Sequence, residues 1–211
     1  MKDLIVIGGG GFAKEVVWLA EDCNRRVQGV LDDNEGAHGS DVQGAKVLGS
    51  ISSWTEYQDC EFVIAIGSPR TRELVLNKML VSGKPKFTTL VHPSVRLSNT
   101  VSIGVGSIIC AGTILTTDIK LGEHNILNLN VTVGHECILE DFVTIAPMAA
   151  VSGNVTVRSL VEVGTGAVIR QGLEIEAGAM LGMGGVLTKN IPGNTIFAGN
   201  PAKKLKEIAS L

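Results

Sequence analysis

Between Leu97 and Leu187 every sixth residue is Leu, Ile or Val, without a gap or a slip: Leu97, Ile103, Ile109, Leu115, Leu121, Leu127, Val133, Leu139, Ile145, Val151, Val157, Val163, Ile169, Ile175, Leu181 and Leu187. So short and strict a period dictates the architecture of this half of the chain. Positions four further on, such as Thr113, Val131, Cys137, Val143, Ala149, Val155, Ala167 and Ala179, are small or β-branched, and the residue after an anchor is often Gly, Asn or Ala. The pattern is that of a parallel β-helix, a three-sided prism in which three hexapeptides make one coil. Each anchor points into a narrow interior, and the small residues fit where a wall turns. One row of anchors does not offset the entropy of ordering so much backbone. Coil-to-coil ladders, a second interior row, capped ends and subunit association must supply the rest, so an oligomer is expected.

A chain of 211 residues with 45% hydrophobic and 18% charged residues has room for one or two well-buried domains. Its 18 basic and 21 acidic residues give no general attraction to nucleic acid, and the one basic cluster is Lys203, Lys204 and Lys206. Cys23, Cys60, Cys110 and Cys137 lack metal-ligand spacing and read as small hydrophobes in a reducing compartment, which fits the cytoplasm. The start, Met1-Lys2-Asp3-Leu4-Ile5-Val6-Ile7, has no long apolar run or cleavage site, and no later stretch is apolar enough to span a membrane.

Residues 1–90 have a different texture: a strand at Leu4–Ile7, four glycines, a helix over Ala13–Cys23, a strand at Val27–Leu31 and loop-rich residues 32–60. A third strand at Phe62–Ile66 leads into a helix ending near Val81. The order βαβ then βα predicts a small parallel-sheet, Rossmann-like α/β domain. Residues 91–192 form the β-helix, and 193–211 form a capping segment that ends in a short helix.

Gly8-Gly9-Gly10-Gly11-Phe12-Ala13 satisfies G-x-G-x-x-G/A in its required setting, after a strand and at the start of a helix, where backbone N–H groups can hold phosphate oxygens. Asp32 and Asp33 follow the second strand, where such domains place a ribose-contacting acid. Only one nucleotide-binding half fits, so a mononucleotide or nucleotide sugar suits the site better than a dinucleotide. Gly10, Gly11, Phe12, Asp32 and Asp33 are the candidate contacts, with Gly67, Ser68 and Arg70 after the third strand. The competing reading makes the glycines a packing turn, the aspartates a solvated loop and Arg70 a surface charge.

His135 lies two residues after the anchor Val133, between Gly134 and Glu136. An exposed neutral imidazole on a rigid wall, its tautomer set by a neighbouring carboxylate, is suited to act as a general base. Eighteen residues on, at the same offset, stands Gly153, which would stack on His135 at the coil spacing of about 4.8 Å and offer an unobstructed N–H to an oxyanion. His124 reads as an exposed histidine without a role. With His124 and His135 at different offsets and no third histidine in the repeat, a zinc centre is not expected.

Taken together, Gly8 to Gly11, Asp32-Asp33, His92-Pro93-Ser94, the hexapeptide run, Gly134-His135-Glu136, Val151-Ser152-Gly153-Asn154-Val155 and Gly199-Asn200-Pro201-Ala202-Lys203 resemble the sialic-acid O-acetyltransferase family of hexapeptide-repeat acyltransferases. The likeness is greatest to the branch of nucleotide-amino-sugar N-acetyltransferases of bacillosamine and perosamine type. The resemblance implies a left-handed β-helix, a homotrimer with active sites between subunits, acetyl-CoA as co-substrate with no tightly bound cofactor, and a UDP-, dTDP- or GDP-linked 4-amino-4,6-dideoxy sugar as acceptor in surface-glycan (lipopolysaccharide or O-antigen) synthesis. It implies His135 as base, Glu136 as its orienting acid, Gly153 as amide donor to the thioester oxygen and Asn128 as a nearby polar residue. Gly153, Gly164, Thr165, Lys189, Pro201 and Lys203 would meet the coenzyme. The family commonly has a histidine in the glycine turn where this chain has Phe12. O-acetylation of a sugar hydroxyl, or a non-catalytic nucleotide-binding trimer, are the alternatives.

Overall fold

A computed structural model describes residues 2–209, which divide into two compact units: 2–93 with 105–108, and 94–104 with 109–209. The first is built on β1 (Leu4–Ile7), α1 (Gly11–Asp22), β2 (Val27–Leu31), β3 (Asp41–Val42), β4 (Ala45–Gly49), β5 (Glu61–Ile64) and α2 (Pro69–Val81). The sheet order is β3-β4-β2-β1-β5, parallel except for the β3/β4 hairpin. All four residues of β1 are fully buried, as befits a central strand covered on both faces. Ile5, Ile7, Leu31, Phe62, Ile64 and Met79 share one core with Trp54, whose ring meets Phe62 edge-on at 5.7 Å.

The second unit is a left-handed parallel β-helix. Its walls are three ladders of two-residue strands, each strand pairing with the one eighteen residues away: Ile114↔Thr132 and Leu115↔Val133 on one wall, Lys120↔Ile138 on the next, Ile126↔Thr144 on the third. From Ile109 to Leu187 every anchor is buried, and Thr113, Val131, Cys137, Val143, Ala149, Val155, Ala167 and Ala179 form the second interior row. Leu97 is 43% exposed, because its strand ends its ladder and no earlier coil covers it.

From the corner after Ile103 to the one after Leu181 the residue three past the anchor lies in the left-handed region, whether glycine (Gly166, Gly172, Gly184) or not (Asp118, Glu136, Phe142, Asn154). At most of these corners its N–H donates to a carbonyl of the preceding coil, as Glu136 does to Thr117 (3.0 Å) and Asn154 to His135 (2.7 Å), whereas Asp118 donates to the Thr100 hydroxyl (2.7 Å). Those bonds hold the backbone in a conformation that L-residues otherwise avoid.

Three local expectations are corrected. Residues 32–60 contain β3 and β4, joined by Gln43-Gly44 with both residues at positive φ, a tight turn that suits the twist of a hairpin. Among the described residues the C-terminal segment forms strands and no helix: Thr195–Ala198 continues one wall in parallel with Met180–Leu181, then Lys203–Glu207 folds back antiparallel. Ile196 and Phe197 complete the last coil's ladder, and a lysine-rich edge strand discourages further pairing. His124 is buried at 2% exposure, since its corner position places it one coil from Phe142, on whose ring it stacks at 5.3 Å and 8°.

Candidate active site

The first unit carries a cleft of about 450 Å³ at the carboxyl ends of β1 and β5. The chain leaves β1 through α1 toward β2 and leaves β5 through α2 on the far side of the sheet, so this is the switch point where open α/β sheets bind ligands. Gly8, Gly10, Gly11, Phe12, Asp32, Asp33 and Gly67 line it, with apolar walls from Ile51, Ile66 and Val75. Gly8 has φ +98°, and a Cβ there would meet Ile66 Cγ1 at 2.8 Å, so the turn requires glycine. Around Gly10, Gly11 and Gly67 a Cβ would meet nothing within 4 Å, so bare backbone faces the cleft at the start of α1 and beside that of α2.

Both aspartates are already engaged by the protein. Asp32 accepts from Gly9 N–H (2.5 Å) and Asn34 N–H (2.7 Å), which fixes the glycine turn against the end of β2. Asp33 accepts from Ile51 N–H (3.0 Å) and pairs with Lys78 (2.6 Å). Burial pushes the Asp33 carboxyl up, but the Lys78 and Ile51 hydrogen bonds outweigh it and hold the group below the usual carboxylate range. Ser68 caps α2 by accepting from Thr71 N–H. Arg70 is not among the lining residues. The buried arginine is Arg72, 1% exposed, whose guanidinium donates to the carbonyls of Ile66 (2.7 Å) and Gly67 (3.1 Å) and so shapes the cleft from behind. Arg72 was missed, although Pro69, Arg72 and Met79 share the buried face of α2 at helical spacing.

On the β-helix, His135 and Glu136 stand at the corner after Thr132–Val133. His135 Nδ1 lies 2.9 Å from Glu136 Oε2, and both side chains are more than half exposed. A carboxylate only accepts, so Nδ1 carries the proton and the lone pair sits on Nε2. One coil on, a Cβ on Gly153 would fall 2.5 Å from Nε2 and 2.6 Å from Cε1, so the imidazole lies flat over bare backbone. The corner bonds Glu136 N–H to Thr117 O and Asn154 N–H to His135 O hold this arrangement in register.

Asn128, Gly164 and Thr165 are elsewhere. They follow strands Ile126–Leu127 and Glu162–Val163, on another wall, and share the neighbouring corner of the prism, Gly164 and Thr165 two coils beyond Asn128. Lys189 is exposed, two coils beyond Gly153 in the His135 corner; Pro201 and Lys203 are exposed in the terminal hairpin. One chain thus brings His135, Glu136 and Gly153 together and leaves Asn128 and Gly164 apart from them. Among the described residues no group of three or more His, Cys, Asp or Glu could hold a metal, and no helix is long and apolar enough to cross a membrane.

Residues 3–79 match the PglD N-terminal domain family. The chain superposes on perosamine N-acetyltransferase from Caulobacter crescentus, a mutant solved with CoA and GDP-perosamine, with TM-score 0.91, 28% identity and 98% of each chain covered. On the acetyltransferase domain of PglB from Neisseria gonorrhoeae the TM-score is 0.90 with 32% identity, covering 97% of this chain and 100% of that one. UDP-N-acetylbacillosamine N-acetyltransferase of Bacillus subtilis is 32% identical over 118 residues, 53% of this chain and 52% of that protein. The chain spans about half or less of the curated relatives it matches.

Proposed function

Because the chain belongs to the hexapeptide-repeat nucleotide-amino-sugar N-acetyltransferases, the perosamine and bacillosamine type, we propose that it transfers the acetyl group of acetyl-CoA to the C4 amine of a nucleotide-linked 4-amino-4,6-dideoxy sugar. The observation that carries this reading is His135, held by Glu136 with its Nε2 lone pair free, lying over the bare backbone of Gly153. The amine lone pair attacks the thioester carbonyl while Nε2 accepts the amine proton. The Gly153 N–H, which donates to no carbonyl of the described residues, supports the tetrahedral oxyanion. Collapse breaks the C–S bond, and the imidazolium returns its proton to the departing thiolate. Direct transfer needs no acyl-enzyme and no metal.

The cleft at Gly8 to Gly11 takes the nucleotide, UDP, dTDP or GDP. Its phosphates lie at the start of α1 and its base lies against Phe12, Ile51 and Val75. A homotrimer brings the Asn128 and Gly164 corner of one protomer to the His135 corner of the next, so that Asn128, Gly164, Thr165, Lys189, Pro201 and Lys203 complete the coenzyme site. The exposed Ile114 and Val168, which flank Thr132 and Ala150 on one wall, provide the apolar face for that contact. The enzyme works in the cytoplasm, where acetyl-CoA and sugar nucleotides are made. Isotope-labelled acetyl-CoA with a panel of nucleotide amino sugars tests the reaction. Label on the C4 nitrogen is expected; label on a hydroxyl of a sialic acid, or none on any sugar, refutes it.

A further inference from the structure

Inside the prism, the column at the His135 corner runs Ile119, Cys137, Val155 in successive coils, and all three side chains are fully buried. Packing between Ile119 and Val155 asks only for another branched aliphatic, yet the middle position holds a thiol. Cys137 Sγ donates to the Ser152 carbonyl of the next coil at 3.1 Å. Burial pushes the Cys137 thiol up, outweighing the pull of the Val155 and Asn154 amides, so the proton stays on sulfur. That carbonyl belongs to the same peptide as the Gly153 N–H. Among the described residues no backbone N–H donates to Ser152 O, and the Gly153 N–H donates to no carbonyl. The peptides on either side are pinned in the ladder, Ser152 N–H on Ile169 O (3.1 Å) and Asn154 N–H on His135 O (2.7 Å).

A peptide that the ladder holds at neither end can turn about the chain axis, the more so before a glycine, which accepts backbone angles that other residues avoid. Such a turn would swing the Gly153 N–H off its line. The bond from Cys137 removes that freedom. The Ser152–Gly153 peptide is trans, so its C=O and N–H point in opposite directions. With the oxygen drawn to a thiol in the interior, the N–H points outward, on the face where the His135 ring lies over Gly153. We propose that Cys137 is a positioning residue for the oxyanion donor, its thiol fixing the Ser152–Gly153 peptide so that the Gly153 N–H faces the reacting carbonyl. A hydrogen bond received by the carbonyl also polarises the amide and strengthens what its N–H donates. The catalytic consequence rests on the acetyl-transfer reading, whereas the orientation of the peptide does not.

Two substitutions separate this role from packing. Cys137→Val removes the donor but supplies an aliphatic of the kind its column already uses, so the fold should hold; Cys137→Ser keeps a donor but buries a more polar group, so it should lower Tm. Labelled-acetyl transfer and thermal unfolding are measured on the full-length chain. Cys137→Val should lower kcat about 5- to 10-fold with the acetyl-CoA KM within about two-fold, a smaller loss than the roughly 10²- to 10³-fold for removing an oxyanion donor outright. Cys137→Ser should keep kcat within about three-fold of wild type in spite of its lower Tm. A purely structural cysteine predicts the reverse order, with activity following Tm; that result, or wild-type kcat in Cys137→Val, overturns the proposal. Nuclear magnetic resonance with nitrogen-labelled glycine gives a readout free of turnover. The Gly153 amide signal, identified by its absence in Gly153→Ala, should move in Cys137→Val and return toward its wild-type position in Cys137→Ser, and an unmoved signal also overturns the proposal. A Cys137-dependent Gly153 signal in a protein that acetylates no sugar refutes the transfer reaction alone.

Discussion

Gly153→Ala isolates the stacking of base on backbone. The added Cβ would stand 2.5 Å from Nε2, 2.6 Å from Cε1 and 2.9 Å from Cδ2 of His135, about an ångström closer than ordinary contact. The obstacle is a half-exposed side chain and Gly153 does not have positive φ, so the ring can swing outward at small cost to the fold. The base then misses its place by about 1 Å, a displacement expected to lower kcat about 10²-fold, or about 2.7 kcal/mol of barrier. Gly134→Ala is the contrast: its Cβ would meet the Gly153 backbone nitrogen at 2.6 Å and Ser152 C at 2.8 Å, atoms that cannot yield without parting the coils. Turnover measured beside thermal unfolding should give low kcat with Tm within a few degrees for Gly153→Ala, and a large Tm loss for Gly134→Ala. Near wild-type kcat in a folded Gly153→Ala protein would refute the idea that the imidazole lies over that glycine during catalysis.

His135→Ala should lower kcat about 10²- to 10⁴-fold with acetyl-CoA affinity retained, measured by labelled transfer and equilibrium binding; near-normal turnover removes it from the mechanism. Arg72→Met leaves the Ile66 and Gly67 carbonyls without their donor, so the nucleotide affinity of the cleft should fall while the acetyl-CoA KM stays constant; equal loss of both would mean a general folding role. Glu140 is pushed up by burial, yet more strongly held down by Arg158 and by the Ser159 N–H and hydroxyl, so its folded pKa lies below the unfolded value. Its stabilisation is complete above about pH 4.3 and is lost as pH falls through the depressed value, so wild type should lose Tm more steeply than Glu140→Gln in that acid window. Parallel Tm profiles would show that the Arg158 contact contributes nothing to folding.

The parts legible in the sequence are those that the fold repeats. A prism interior admits one side chain per wall, so its demand recurs every six residues and survives as an unbroken register from Leu97 to Leu187. The same arithmetic placed Gly153 over His135, because an offset of eighteen is one coil. Applied one corner further, it would also have paired His124 with Phe142, yet His124 was weighed as an isolated histidine instead of as a member of a column. Features made once were harder to read. Gln43-Gly44 is a weaker hairpin signal than Asn-Gly, and β3 has only two residues. The acidic pair lines the cleft, but its partners, the Gly9 and Asn34 amides for Asp32 and Lys78 for Asp33, are not recorded by any sequence motif.

The His135 corner depends on coil register, so its geometry is set by the repeat: a methyl group at Gly134 would meet backbone of the next coil, and one at Gly153 would meet the imidazole. The Gly8 to Gly11 cleft is bounded instead by residues outside the interior rows, such as Phe12, Ile51 and Val75, none of which the six-residue rule constrains. Substitutions there should alter which nucleotide is held without shifting a coil, whereas those at the His135 corner should alter rate and fold before they alter choice. Acceptor preference in this chain should therefore follow side chains such as Phe12 and Val75, with the acetyl-transfer geometry unchanged.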